Sequence, residues 1–350
     1  MEQKLFHIGV VGAGYFAQLH HRAWMKASGA ILGAVADRDE QAISPPDVPR
    51  YHSLGDMLKR EKIDILDIVT PPHTHKDIIK EAIASGIRKI ICQKPFCHSL
   101  GEAQEVTALA AKQNVDLIIH ENFRFQPWYR FLKAEIDKGE LGQLYQFRFD
   151  LRPGDGRGDK AYLDRQPYFQ KMPRFLVHET AVHFLDLFTF LFGQPLSVYA
   201  DLRKLNPVIA GEDAGIIIFE YETGMRAVFD GNRHACHRSD NHRLTMGEAM
   251  FETQAASFYL DGFGAVYKRG HLASDKALIL PAYEGDAFGG DCVSRLIQDA
   301  VDRWQEGCAP ENPACDYLAI LALEEAVYES AAKGQKIKMS QKGGAAPLDG

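Results

Sequence analysis

No stretch of this 350-residue sequence approaches the ~18 uninterrupted apolar residues that a membrane-spanning helix requires, so no membrane partner is expected. The one apolar run near the N-terminus is broken by His7 and Gly9, too interrupted for the heart of a secretory signal. Cysteine is sparse: Cys92, Cys97, Cys236, Cys292, Cys308 and Cys315 include no CxxC pair, which argues against both a disulfide framework and a zinc finger. A reduced, cytoplasmic protein is the expectation. A basic surplus is missing as well, because 40 Lys+Arg against 47 Asp+Glu leave a net charge of −7 and no electrostatic footprint for nucleic acid. No internal repeat is present. What remains is a globular balance, 46% hydrophobic and 25% charged, on a chain long enough for two domains, and the expected partner is a small molecule.

Between Leu5 and His120, short Val- and Ile-rich runs alternate with helical segments. Strands are expected at Leu5–Val11, Ile31–Ala36, Ile65–Val69, Lys89–Cys92 and Asp116–Ile119, with helices at Tyr15–Lys26, Ser53–Arg60, His75–Ser85 and Ser99–Lys112. Strands separated by helices form βαβ units, whose crossovers impose a parallel sheet buried on both faces. The fold class predicted for residues 1–122 is therefore α/β, a doubly wound Rossmann sheet.

The first unit reads Gly12-Ala13-Gly14-Tyr15-Phe16-Ala17, directly after a strand and into a helix. The first glycine permits a tight turn, the second lets backbone N–H groups approach a pyrophosphate, and small Ala17 lets helix and strand pack closely. Asp37 ends the second strand, where a carboxylate accepts hydrogen bonds from ribose hydroxyls and repels a 2′-phosphate. NAD is the expected cofactor. NADP is disfavoured, although Arg38 beside Asp37 partly offsets the repulsion.

Residues 123–340 are expected to form the second domain, with both strand and helix patterns. Leu144–Arg152 alternates, with Tyr145, Phe147, Phe149 and Leu151 on one face, and further strands are expected at Ser197–Leu202, Ala214–Tyr221 and Met225–Gly231. Between Arg174 and Gly193 a helix is expected. At ~100° per residue, Glu179, His183 and Asp186 fall on one side and Phe184, Phe188 and Leu191 on the other. A solvated helix face would look the same, but a histidine between acids is also what a proton-transfer group needs. His178 and His183 lie five apart, roughly 140° around a helix, so His178-Glu179 is not part of a zinc-protease HExxH motif, and no metal is expected. The cluster His234, His237, Asp240 and His242 is read as a loop rather than a metal site. Helices are expected at Gly290–Trp304 and Cys315–Ala332, a closing strand at Lys336–Met339 and a mobile tail at residues 341–350.

Four segments carry a resemblance beyond these patterns. Thr70-Pro71-Pro72-His73-Thr74-His75, Cys92-Gln93-Lys94-Pro95, Asn122-Phe123-Arg124-Phe125-Gln126-Pro127-Trp128-Tyr129 and Glu179-Thr180-Ala181-Val182-His183 resemble the glucose-fructose oxidoreductase / inositol dehydrogenase / rhizopine catabolism family. The resemblance implies a Rossmann domain followed by an α+β domain, residues 123–340, with a large, mostly antiparallel sheet that often builds homodimers or homotetramers. It also implies coenzyme contacts from Gly12, Gly14, Tyr15, Phe16, Ala17, Asp37, Arg38, Thr70, Pro71, Pro72, His75, Gln93, Lys94 and Asn122. Lys94, His183 and Glu179 take the catalytic positions, and Arg124, Arg152, Tyr168 and His178 join them as substrate-binding candidates. Two departures stand out: Gln93 replaces the family's usual Glu, and Glu179 with Ala181 replaces its usual Asp and Gly. The expected activity is NAD-dependent oxidation of a carbinol of a sugar, polyol or sugar acid, with a free pentose or branched aldose as the favoured substrate. The alternatives are a redox-neutral, NAD-assisted glycosidase or eliminase, and a noncatalytic NAD-binding regulator.

Overall fold

The computed structural model describes residues 4–339, so the expected tail at 341–350 lies outside the described residues. The chain divides into two compact units. The first comprises the residues up to Arg130 together with 285–322, and the second comprises 131–284 and the chain from Leu323 onward. This differs from a contiguous division at 122/123, because a C-terminal segment returns to complete the first unit.

In that unit, β1 (Phe6–Val11), β2 (Ala30–Ala36), β3 (Arg50–Tyr51), β4 (Ile65–Ile68), β5 (Lys89–Gln93) and β6 (Asp116–His120) form a six-stranded sheet in the order β3-β2-β1-β4-β5-β6. All of its pairings are parallel. Helices α1 (Ala17–Lys26), α2 (Leu54–Leu58), α3 (His75–Ala84) and α4 (Leu100–Lys112) make the crossovers, and α5 (Pro127–Asp137) leads onward. Ser53 and Ser99 each cap a helix by accepting the backbone N–H three residues on, as the start signals of α2 and α4 require. The strand order reverses between β1 and β4, the switch point outside whose carboxyl ends ligands of such sheets bind.

The second unit is built on a nine-stranded sheet. Its strands are β7 (Leu144–Leu151), β8 (Ser197–Arg203), β9 (Ala214–Glu220), β10 (Arg226–Asn232), β11 (Gly247–Thr253), β12 (Ala256–Leu260), β13 (Val266–Gly270), β14 (Ala277–Leu280) and β15 (Ile337–Lys338), in the order β14-β13-β12-β11-β7-β10-β9-β8-β15. Only β10 with β7 is parallel; the other pairings are antiparallel. α6 (Val182–Phe192) covers one face. Phe184 stacks on Phe149 with ring centroids 4.1 Å apart, and Phe188 meets Phe147 at 5.4 Å. The inward residues of β7 alternate as expected, except that Tyr145 near its start is 45% exposed.

The last helices are α7 (Cys292–Gln305) and α8 (Ala314–Lys333). α7 buries Cys292, Val293, Leu296, Ile297, Ala300, Val301 and Trp304, a stripe spaced three and four apart. That stripe joins Trp24 and Ala23 of α1 and strand residues of the parallel sheet in one apolar cluster, which is why residues 285–322 belong to the first unit. No helix among the described residues is long and apolar enough to cross a membrane.

Candidate active site

The turn after β1 shows why glycine stands there. Gly12 has φ +115°, and a Cβ on it would lie 2.2 Å from the Val69 carbonyl oxygen. Around Gly14 no atom lies within 4 Å of a built Cβ, which leaves an open cradle beside exposed Tyr15. α1 begins at Ala17, later than the sequence suggested, and Phe16 at its N-cap supplies no side-chain hydrogen bond. The Leu19 N–H turns back to the Phe16 carbonyl (3.0 Å), and no side-chain cap competes with an anion for the positive end of the helix. Asp37 accepts the Ala13 N–H on one carboxylate oxygen (2.6 Å) and the Asp39 N–H on the other (2.8 Å). Each oxygen keeps a second lone pair, so the carboxylate braces the turn and still has capacity for ribose hydroxyls. Arg38 is exposed beside it. The residues present fit a dinucleotide.

After β4, Thr70 Oγ1 pairs with Thr74 Oγ1 at 2.7 Å, and Pro71 and Pro72 lead into α3. His75 is fully buried, and both of its ring nitrogens face backbone groups. Nε2 donates to the Thr70 carbonyl (2.8 Å), and Nδ1 accepts the Cys97 N–H (3.5 Å). Burial brings its pKa down to about 4, so it is a neutral brace between the loops after β4 and β5. Asn122 is buried too and donates to Cys292 Sγ at 3.1 Å.

At the end of β5, Gln93 Oε1 accepts the Lys94 N–H (2.7 Å), which turns its amide nitrogen toward His20 Nε2 (3.0 Å) and His120 Nδ1 (3.5 Å). An amide nitrogen only donates, so both ring nitrogens accept. His20 must then carry its proton on Nδ1, which donates to Asp67 Oδ2 at 2.7 Å; the Trp24 indole N–H donates to the same oxygen, also at 2.7 Å. His20, Asp67 and His120 are fully buried. Lys94, half-buried, follows this network and precedes a cis bond to Pro95. Sequence reasoning missed His20, Asp67, His120 and buried Glu121. For Asp67, His120 and Glu121 the one local signal is a charged or imidazole side chain inside or at the end of an otherwise apolar run; His20, between Leu19 and His21 in a mixed helix, carries none.

In the second unit, the helix expected over Arg174–Gly193 is divided: Leu176–Ala181 winds as a π-helical turn before α6. The continuous 100° wheel therefore does not run through Glu179. His183 and Asp186 are buried, at 6% and 1% exposure, which excludes the solvated-face reading for both. Glu179 is half-buried. Arg233, 2% exposed, donates to both oxygens of Asp155 (3.0 and 3.1 Å), to Tyr162 Oη (3.3 Å) and to Thr180 Oγ1, and so ties down the turn that carries Glu179. Tyr168 is 55% exposed as a residue, and the partial enclosure of its phenol, with the charge of Glu179 beside it, pushes that phenol upward. His178 Nδ1 pairs with Glu324 Oε1 at 2.7 Å. Arg152 does not join this group. It pairs with Asp230 (3.0 Å) and donates to the Asp230 carbonyl (2.6 Å), on the sheet face opposite the one where Phe229 meets α6.

The histidines of the 233–243 loop do not share a single ligand point, although the His237 and His242 rings pack edge to face with centroids 5.1 Å apart. His234 faces Asp213 (3.0 Å), His237 the Arg152 carbonyl (2.8 Å) and His242 the His237 carbonyl (3.1 Å). Among the described residues no group of three or more His, Cys, Asp or Glu could hold a metal ion.

Residues 6–121 match the oxidoreductase family with an NAD-binding Rossmann fold, and residues 129–250 match the C-terminal domain of the same family. The chain belongs to the Gfo/Idh/MocA oxidoreductases. Among Gfo/Idh/MocA relatives, D-apiose dehydrogenase of Paraburkholderia graminis is 27% identical over 357 residues, covering 98% of this chain and 92% of that protein. Inositol 2-dehydrogenase of Rhizobium meliloti is 24% identical, covering 95% and 98%. A crystal structure of an oxidoreductase from Agrobacterium radiobacter, in complex with NAD+, L-tartaric acid and magnesium, superposes with a TM-score of 0.84 at 25% identity, covering 96% of this chain and 98% of that one. Two domains, α/β and α+β, an NAD-binding Rossmann fold and oxidoreductase membership thus agree with the family's pattern.

Proposed function

We propose that this protein is an NAD-dependent dehydrogenase that oxidises a carbinol of a sugar, with a branched aldopentose of the apiose type as substrate. The observation that carries the reading is the near end-to-end likeness to D-apiose dehydrogenase, joined to a glycine turn whose open side and acidic strand end suit NAD. The turn at Gly12–Gly14 and the first N–H groups of α1 hold the pyrophosphate, and Asp37 holds the adenosine ribose. The bound nicotinamide supplies the hydride acceptor.

Oxidising a carbinol also releases the hydroxyl proton, and Lys94 and His183 are the two groups proposed to take it. A positioned acceptor of this kind contributes about 10²–10⁴ in rate. Glu179 orients the substrate hydroxyls, and Arg124, Tyr168 and His178 supply further polar contacts. Arg152 has no part in this proposal, because its guanidinium is engaged on the far sheet face.

We further infer a cytoplasmic homodimer or homotetramer. Tyr199 and Ile216, exposed on the sheet face away from α6, supply apolar surface for such an assembly. A panel of aldoses, polyols and aldonates with NAD+, followed by NADH absorbance, tests the activity. The proposal expects turnover on branched or simple pentoses, and no NADH with any member of the panel overturns it.

A further inference from the structure

We propose that Glu121 is the positioning residue for Lys94, a buried carboxyl group at the end of the neighbouring strand that balances the lysine's charge in place of an acid at position 93. The inference rests on the reading of Lys94 as a site residue.

The register of the parallel sheet makes the case. Gln93 and His120 are paired across β5 and β6, so the next residues, Lys94 and Glu121, leave the two strands at the same level. Position 93 cannot carry the balancing charge, because its amide gives hydrogens to two imidazoles and its oxygen takes the Lys94 N–H. Glu121 is fully buried. Tyr317 Oη on α8 donates to its Oε2 at 3.1 Å, and Asn312 Nδ2 donates to its backbone carbonyl at 2.9 Å.

A carboxylate so enclosed needs a cation. The groups that face it are the ammonium of Lys94, the guanidinium of Arg124, the Tyr317 hydroxyl and the buried thiol of Cys292 on α7. Burial raises Glu121 to about 7, opposed first by Lys94, which places its titration in the working range of a dehydrogenase.

The test reads Glu121 itself, in enzyme free of coenzyme. Infrared difference spectra against pH should show a protonated-carboxyl band that disappears in Glu121→Gln and titrates near neutrality in the parent. In Lys94→Met the midpoint should move up by about 1–3 pH units, the usual effect of losing a nearby opposite charge, whereas Lys94→Arg should keep it near the parent's. If Lys94→Met does not fold, acetylating Lys94 in the folded parent, confirmed by peptide mass spectrometry, removes the same charge. An unmoved midpoint after either neutralisation overturns the pairing. Because no turnover is involved, that result stays separate from a failure to find a sugar substrate.

Discussion

Restoring an acid at position 93 is the most informative perturbation of the buried network. In Gln93→Glu the carboxylate still accepts the Lys94 N–H, but it has no hydrogen to give to His20 Nε2 at 3.0 Å or His120 Nδ1 at 3.5 Å. Acceptors then face acceptors among buried side chains. His20 cannot resolve this by changing tautomer, because its Nδ1–H is committed to Asp67 at 2.7 Å. The folded variant must therefore bind one proton, on His20 Nε2 or on the carboxyl, that the unfolded chain does not hold above pH ~6.5. With the folded state holding the extra proton, stability falls as pH rises, by up to about 1.4 kcal/mol per pH unit. The loss levels off at about 1–3 kcal/mol, the cost of leaving buried acceptors unmatched. Urea unfolding of the coenzyme-free parent and variant between pH 6 and 9 measures this directly. Parallel stability curves for the two proteins would refute the donor–acceptor assignment.

Three further outcomes are expected. Asp37→Ala should shrink the preference for NAD over NADP in kcat/KM and raise the KM for NAD, since the Ala13 and Asp39 N–H groups lose their acceptor; equal efficiency with both coenzymes in the parent would contradict the ribose role. His75, held neutral down to about 4 against ~6.5 in the unfolded chain, contributes stability that is fully present above ~6.5 and is lost as pH falls toward 4, about 3 kcal/mol in all; His75→Gln should flatten that slope, and an unchanged slope in denaturant midpoints would count against it. His183→Ala should lower turnover by about 10²–10⁴ while leaving NAD affinity, read by fluorescence titration, nearly unchanged, and a nearly fully active variant would remove His183 from proton transfer.

Much of the first unit was legible because its strands are buried on both faces and read as Val- and Ile-rich runs. Five of the six strands follow from composition alone, while β3, two residues long, is too short to carry a pattern. The return of residues 285–322 could not be read, because the apolar stripe of α7 shows only that the helix packs and not on what. Glu179 and His183 were legible as a polar pair, but the π-turn between Leu176 and Ala181 was not, since a wheel drawn at 100° assumes the period it tests. The buried network is harder still. Asp67 and His20 stand 47 residues apart, and His20 and Gln93 stand 73 apart, so each reads as an isolated polar residue until the sheet brings them together. The departure at position 93 was visible in sequence; its donor–acceptor logic needed the two imidazoles.

The central claim is hydride transfer from a sugar carbinol to NAD+, and label transfer tests it most directly. The protein is incubated with perdeuterated pentose and NAD+, and the coenzyme is then recovered for mass spectrometry. The account predicts stoichiometric NADH carrying one deuterium, formed at the rate the sugar is consumed. Consumption of the sugar without accumulated NADH, the signature of a redox-neutral cycle, would contradict it.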